Sequence, residues 1–373
     1  MTQQKKLTFL TFSAYRIVLF CGFFGIILFA HIFGPMMWRH YIGTGNAFGY
    51  QNGTLAVHYL DVGQGDAIII QLPCGRVAMI DSGTEWYYSR VKTYLTTRIL
   101  KGGNKNIDFI IATHSHDDHV GGFAQLLVDF DVGTVYRPLN TSNSPHKTED
   151  AVAHLADSPA YTNFITAAYE NSHVEYIRAG VEIADDAKTY SMYFHTPTLT
   201  FAKGLTDTFD DFNNISPIIS LHYKNHFFLF TGDAGVKTEN QFRDCPRALY
   251  FANEIGFENM EVYLKVGHHG SRDSTSLNLL DFIKPNKVII SVGARNPFGH
   301  PHSLLTKRLK DVANLHERDV LETRHLGNIA FATDGATDRM FFAFDNEIDL
   351  TLVYIISAAV LFFVCFTNFR IIK

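Results

Sequence analysis

The densest chemistry in the sequence is Thr113-His114-Ser115-His116-Asp117-Asp118-His119-Val120-Gly121-Gly122, directly after the apolar run IDFIIA at 107–112. The three imidazoles and Asp118 offer nitrogen and oxygen donors of the kind that zinc, manganese or iron take up. If the run is a strand, His114 and His116 can point the same way from the loop at its end. A helix starting at Asp118-His119 then turns the next donors toward the same place, so one segment can serve two cations. Gly232-Asp233 follows a second apolar run, FFLF at 227–230. A carboxylate has two oxygens and can bridge a cation pair. In LKVGHHGS (264–271), His268 and His269 stand where a third short apolar run ends. Either can be the ligand, and the sequence leaves that choice open. A turn or a polar loop accounts for any one of these pieces, but their conjunction points to one or two divalent ions, zinc first and manganese second. A cation lowers the pKa of bound water from 15.7 to about 7. Hydrolysis by a metal-bound hydroxide is therefore the expected reaction, with the cations stabilising the charge that develops on the substrate.

Short β-branched runs position these residues. Strands are expected over 56–61, 67–72, 77–81 and 107–113, each stopped by Gly, Pro or a polar cluster. Helical spacing appears over 86–101, after Gly122 and over 161–170. Two further strands, 216–222 and 226–231, are joined by a tight turn at Lys224-Asn225. Strands at 262–266 and 288–292 alternate with helices. Two strand series interleaved with helices predict an α/β fold of sheets covered by helices. The stretches 140–159 and 198–213 lack periodicity and read as surface insertions.

Composition narrows the class. Lys plus Arg number 32 against 37 Asp plus Glu, a net charge of −5, which excludes a general polycation; 46% hydrophobic and 18% charged residues exclude a disordered chain. The ends hold the surplus apolarity. Residues 17–34 and 350–369 are each long enough to cross a bilayer core of about 30 Å. Basic residues Lys5, Lys6 and Arg16 precede the first run, and Arg370 and Lys373 follow the second. By the positive-inside tendency both termini are cytoplasmic and the body is extracytoplasmic. The expected organisation is a tail and membrane helix over 1–42, a linker over 43–54, a hydrolase domain over 55–345, and a second membrane helix and tail over 346–373. Of the four cysteines, Cys21 and Cys365 fall in the apolar runs; Cys74 and Cys245 are inert or form one disulfide.

The order of these motifs resembles the metallo-β-lactamase fold superfamily, and within it the extracytoplasmic hydrolase domains of the ComEC type and their phosphorylcholine esterase relatives. The pieces carrying the resemblance are LDVGQGDAIII (60–70), VAMIDSG (77–83), ATHSHDDHVGG (112–122), NNISPIISL (213–221), FLFTGD (228–233), LKVGHHGS (264–271), SVGARNPFGHPH (291–302) and GNIAFATDG (327–335). The resemblance implies an αββα sandwich with His114 and His116 on a first metal, Asp118 and His119 on a second, Asp233 between them, and His268 or His269 completing the second site. It implies Asp81 behind the ligands, Asp61, Gln64 and Asp66 in an opening loop, and Ser216 in the stretch beside the site. Asp118 would ligate and hold the attacking water; His300, in Gly299-His300-Pro301, would donate a proton to the leaving group or hold a phosphate. Lys265, Ser271, Arg272, Arg295 and Asn296 are candidates to contact the substrate anion.

Two departures stand out. Many superfamily members carry a further imidazole where this chain has Asn213-Asn214-Ile215-Ser216, so the first metal has fewer protein nitrogens; His195 is a possible substitute. ComEC-type proteins also have a many-helix channel, which two apolar spans cannot build. The implied activity is that of a membrane-anchored phosphodiesterase or nuclease. Against nucleic acid stands the acidic net charge, because sequence-independent binding draws on Lys and Arg. Another ester, a lactone, a lactam or a phosphorylcholine-type bond is the alternative, and a non-catalytic membrane sensor is a third reading.

Overall fold

The computed structural model describes residues 53–138, 158–203, 209–311 and 315–343. Both apolar runs, 17–34 and 350–369, with Cys21 and Cys365, lie outside the described residues, as do 43–52 of the expected linker and most of the expected insertion at 140–159. Among the described residues no helix is long and apolar enough to cross a membrane.

In chain order the strands are β1 (Leu55–Tyr59), β2 (Ala67–Gln71), β3 (Val77–Ser82), β4 (Asn106–Ile111), β5 (Asp131–Arg137), β6 (His173–Tyr176), β7 (Glu182–Ala184), β8 (Ser191–Phe194), β9 (Ile219–Tyr223), β10 (His226–Phe230), β11 (Glu261–Lys265), β12 (Lys287–Ile290), β13 (Val320–Glu322), β14 (Asn328–Thr333) and β15 (Asp338–Ala343). One sheet runs β15-β14-β1-β2-β3-β4-β5-β6 and the other β13-β12-β11-β10-β9-β8-β7. Pairing is parallel from β3 to β6 and from β10 to β13, and antiparallel elsewhere.

Successive strand residues point to opposite faces, and this sorts the apolar side chains into layers. Leu55, Val57, Tyr59, Ile68, Ile70, Phe109 and Ile111 from the first sheet meet Met192, Phe194, Leu221, Phe228 and Phe230 from the second in a core between the sheets. The outer face of the first sheet carries Ile69, Met79 and Ile110 against Val91, Leu95, Phe123 and Phe164 of helical segments over Tyr88–Tyr94, Leu95–Ile99, Phe123–Asp129 and Pro159–Asn171. The outer face of the second carries Phe227, Leu229, Val262 and Val288 against Phe242, Leu280 and Leu305 of helices over Val236–Asp244, Leu277–Ile283 and Ser303–Asp311. Helix, sheet, sheet, helix is the αββα sandwich. All these elements lie within one compact unit, residues 48–345.

Several local expectations change. The segment 86–101 is not one α-helix: it runs as a 3₁₀ turn at Glu85–Tyr87, an α-helix and a π-helical stretch at Leu95–Ile99. The region 198–213 contains helices at Leu199–Lys203 and Phe209–Asn214 instead of an irregular insertion. Strand β9 starts at Ile219 and not at Ser216, which is used as a hydrogen-bonding loop residue. Cys74 is exposed and Cys245 partly buried, and both are free, so the disulfide is not formed.

Two imidazoles buried within the sandwich have structural roles. His58 bridges the Tyr94 hydroxyl and the Gln71 side-chain oxygen, each at 3.1 Å, and burial lowers its pKa from 6.5 to about 4. His195 contacts Ser220 Oγ at 2.8 Å and Cys245 Sγ at 3.4 Å; burial, then Arg247, lowers its pKa to about 3. These partners occupy both ring nitrogens, so His195 is not a substitute metal ligand. Both folded pKa values lie below the unfolded value, so the unfolded chain binds more protons below pH 6.5 and stability falls on acidification. Between pH 7 and pH 5 each histidine is expected to remove about 2 kcal/mol. Urea denaturation at the two pH values should show a His58→Gln variant with a pH dependence smaller by that amount; an unchanged dependence would contradict neutral burial of His58.

Candidate metal centre

The site lies where the parallel strands of both sheets end, as is usual for open α/β sheets, in which ligands sit beyond the carboxyl ends of the strands. Asp81 closes β3, the 113–119 loop follows β4, Asp233 follows β10, His268 and His269 follow β11, and 291–300 follows β12. The loop joining β1 to β2 folds over this end. There Gly65 has φ +138, and a Cβ on it would fall 2.3 Å from the Asp118 carbonyl oxygen, so only glycine lets the two loops meet. Gly232, at φ +48, packs likewise against Thr113 and Ser216.

Each buried imidazole has its rear nitrogen engaged. His119 Nδ1 lies 2.7 Å from Asp81 Oδ2. Asp81 also accepts the Thr113 backbone N–H on Oδ1 and the Thr113 hydroxyl on Oδ2, both at 2.8 Å. Since that hydroxyl donates to Asp81, it accepts from His114 Nδ1 at 3.1 Å; Ser216 Oγ lies 3.3 Å from the same nitrogen and accepts the Asp233 backbone N–H. His269 Nδ1 donates to the Ser291 carbonyl at 3.0 Å. This pattern fixes the tautomers and leaves the Nε2 lone pairs of His114, His119 and His269 facing inward.

Those nitrogens sort around Asp233, which is 2% exposed. Its Oδ1 lies 3.2 Å from His119 Nε2 and 3.6 Å from His269 Nε2; its Oδ2 lies 3.8 Å from His114 Nε2 and 3.6 Å from His268 Nε2. His114 Nε2 is 3.0 Å from His116 Nδ1, and His269 Nε2 is 3.2 Å from both His119 Nε2 and Asp118 Oδ2. Donors about 2.0–2.1 Å from a tetrahedral ion are about 3.3–3.4 Å apart, which is close to these separations. His114, His116 and Asp233 form one compact donor group; Asp66, His119, Asp233 and His269 form another, each within 4.8 Å.

The electrostatics favour a cation. Burial raises the Asp233 carboxyl, but His119, His269 and His268 more than offset this and hold it well below the usual range. Asp118 follows the same balance, with burial opposed by His119 and His269. Burial, helped by His119 and His116, pushes His114 well below 6.5 and keeps it a neutral donor. His119 and His269 go the other way: burial opposes their charge, yet Asp233, Asp81 and Asp118 raise His119 well above 6.5, and Asp233, Asp118 and Asp66 raise His269, so both hold protons until a cation takes their place. Asp233 Oδ1 is buried without a hydrogen bond of acceptable geometry, so the residues fit a bound divalent ion.

The structure sorts the remaining residues by contact. Asp66 is the rearmost member of its group: its Oδ2 is 2.9 Å from Lys265 Nζ, and its Oδ1 is 3.6 Å from the rear nitrogen of His269. Lys265 is fully buried and also donates to the Val266 carbonyl, so it steadies Asp66 and does not meet substrate. Asn296 is likewise no substrate contact: it donates to the carbonyls of Gly293 and His300 and accepts the His300 N–H, shaping that loop. Arg295 is exposed and is not among the residues lining the cleft over the donors. That cleft, of about 830 Å³, is lined by Gln64, Asp118, Ser271, Arg272 and His300 among others. Burial and then His268 lower the His300 pKa to about 4, so the side chain is a neutral imidazole at pH 7.

Sequence reasoning missed Thr113, whose hydroxyl links Asp81 to His114; the Ser291 carbonyl behind His269; and Phe212, whose ring lies 5.7 Å from that of His116. A threonine directly after a strand and before the first ligand was the available signal for Thr113. A backbone carbonyl leaves none.

Residues 60–315 match the family model of the Metallo-beta-lactamase superfamily, and the chain belongs to that superfamily. It is similar to ComE operon protein 3 of Bacillus subtilis (strain 168), at 26% identity over 289 residues, covering 74% of this chain and 32% of that protein. Recombination protein 2 of Haemophilus influenzae (strain ATCC 51907 / DSM 11121 / KW20 / Rd) is 27% identical over 258 residues, covering 69% of this chain and 26% of that protein. Both are of the ComEC type, and the chain spans about a third or less of their length. Among solved structures, metallo-beta-lactamase SMB-1 bound to 2-mercaptoethanesulfonate aligns at 14% identity and a TM-score of 0.33, covering 58% of this chain and 77% of that one.

The buried Lys265–Asp66 pair is testable apart from catalysis. Removing one partner of a buried ion pair costs about 3–5 kcal/mol. Lys265→Met is expected to lose that much in urea denaturation, and Lys265→Met combined with Asp66→Leu to recover most of it. A loss below about 1 kcal/mol in the single variant would mean that the lysine does not neutralise Asp66.

Proposed function

We propose that the chain is a metal-dependent phosphodiesterase, acting as a nuclease of the ComEC type, with His114, His116 and Asp233 on one divalent ion and Asp118, His119, His269 and Asp233 on the other. The observation that carries this reading is the division of imidazoles between the two oxygens of Asp233. Zinc suits the nitrogen-rich donors, and manganese is the second choice. A bound cation pair supplies an activated water at neutral pH and a Lewis acid for the phosphoryl oxygens.

The chain's own residues do the rest. Asp118 lines the cleft, and its carboxylate accepts a hydrogen bond from the attacking water. Asp81, Thr113 and Ser216 hold the imidazoles in the tautomers that face inward. His300 donates a neutral N–H to the phosphate or the departing oxygen, and its Nδ1 has no protein partner. Arg272 and Ser271 line the same cleft and stand beside the anion. The water oxygen forms the new bond to phosphorus, the ester P–O bond breaks, and the proton that the water gives up ends on the leaving oxygen.

A second reading keeps the hydrolase and replaces the polymer with a small phosphoester of the phosphorylcholine type. The net charge of −5, with Asp117 and Asp273 also lining the cleft, favours it. A panel of bis-para-nitrophenyl phosphate, single- and double-stranded DNA, para-nitrophenyl phosphorylcholine, para-nitrophenyl acetate and nitrocefin separates the substrates. Hydrolysis of the phosphodiesters is expected, falling at least about 100-fold in Asp118→Ala and Asp233→Ala. Wild-type turnover in both variants would exclude the mechanism.

Membrane anchoring through residues 17–34 and 350–369, with both termini cytoplasmic and the hydrolase outside, is part of the proposal. The support is the length of the two apolar runs and the basic residues flanking them. A cysteine introduced between Gly43 and Gly53 should react with an impermeant thiol reagent in intact cells. Reaction only after lysis would reverse the orientation.

A further inference from the structure

The chain lacks the imidazole that many superfamily members place before the Gly-Asp strand, leaving the first ion with His114, His116 and one Asp233 oxygen. We infer that His268 supplies the missing donor, so that the His268-His269 pair serves both ions, one imidazole to each. This rests on the two-ion reading above.

The geometry carries it. Strand β11 ends in a loop where His268 and His269 adopt left-handed φ values of 48° and 51°. Two successive left-handed residues that are not glycine are strained. Here the strain is coupled to a separation of function: the rings diverge, with centroids 6.1 Å apart and planes at 77°. His269 Nε2 faces Asp233 Oδ1 and Asp118, while His268 Nε2 faces Asp233 Oδ2, the oxygen that His114 also faces. The 3.6 Å from His268 and the 3.8 Å from His114 to that oxygen are each within a few tenths of an ångström of the edge expected around a tetrahedral zinc, about 3.3–3.4 Å.

Asn213 sets which ring nitrogen of His268 faces inward with a lone pair. Its side-chain amide lies 3.4 Å from His268 Nδ1, it is 4% exposed, and its Oδ1 is buried with no hydrogen-bond partner. Amide oxygen and nitrogen are assigned from the hydrogen-bond network. Exchanging the two ends turns the amide oxygen toward His268 Nδ1–H and puts the amide nitrogen in the position the oxygen leaves. The imidazole then carries its proton at the rear and a lone pair on Nε2 toward Asp233, matching the rear-nitrogen arrangement of His114, His119 and His269. Asn213 therefore occupies the stretch from which the imidazole is missing and acts through His268 as a positioning residue.

The test is metal binding by the full-length chain in detergent, read by elemental analysis and by competition with a chromophoric chelator, with the visible spectrum of bound Co²⁺ reporting coordination. Wild type should take two equivalents. His268→Ala should weaken the looser equivalent at least about 100-fold and change its Co²⁺ spectrum, leaving the tighter one intact. Asn213→Leu should weaken it about 10–100-fold, as loss of a partner behind a ligand does, whereas Asn213→Asp, which keeps the acceptor oxygen, should restore it. The Asn213 pair keeps the test informative if His268→Ala does not fold. Two equivalents of unchanged affinity in His268→Ala, with only KM raised, would overturn the inference and assign His268 to substrate, leaving the hydrolase reading standing. A wild type with one equivalent, lost in His119→Ala and kept in His114→Ala, overturns it as well. No metal in the wild type ends both readings.

Discussion

Asp66, Asp81 and Asp233 are each at most 2% exposed and crowd one end of the sandwich, with the partly buried Asp118 lining the cleft beside them. Withdrawing a carboxylate from water costs several kcal/mol, and neighbouring carboxylates repel each other. Lys265 neutralises Asp66. The Thr113 backbone and hydroxyl, with His119, satisfy Asp81. Among the described residues no lysine or arginine is paired with Asp233 or Asp118, whose oxygens face imidazoles. What remains is a buried negative field, which protons on His119 and His269 offset and which a divalent ion, where bound, would relieve in their place. Lys265 is thus as much a part of the centre as any donor, because without it Asp66 would compete for the same cation.

The legible parts of the sequence and the illegible parts differ in range. Strands β1 to β4 are nearly continuous apolar runs buried on both faces, so their existence follows from composition over a few residues. Strands β5 and β6 have mixed burial, and β7 and β13 are only three residues long; they are strands because a neighbour offers a ladder, which no local window reveals. The 113–119 cluster was legible because its donors share one loop. Its connection to Asp233 and the 268–269 pair rested on the conjunction of strand-end motifs, and the sequence left open which histidine of that pair joins it, because those residues come from the other sheet. Proximity in sequence misplaced Lys265 and Asn296: both flank site motifs, yet Lys265 ends β11 inside the protein and Asn296 turns back onto its own loop. Alternation along a strand sends adjacent side chains to opposite faces, so nearness to a ligand in the chain says little about nearness to substrate.

The division of the donors between sheets makes the inter-sheet core part of the chemistry. His114, His116, Asp118 and His119 extend from the first sheet, and Asp233, His268 and His269 from the second. Their relative placement is set by the side chains packed between the layers, among them Phe109 and Ile111 on one side and Phe228 and Phe230 on the other. Sheets packed face to face sit about 10 Å apart, a separation determined by the interdigitating residues. Metal ligation tolerates only about 0.2 Å around each bond. Asp233 is the member most exposed to this constraint, because it meets His114 and His119 of the opposite sheet through different oxygens of one rigid carboxylate. A shift of the sheets that shortened one of these approaches would change the other, so neither donor group can be adjusted alone.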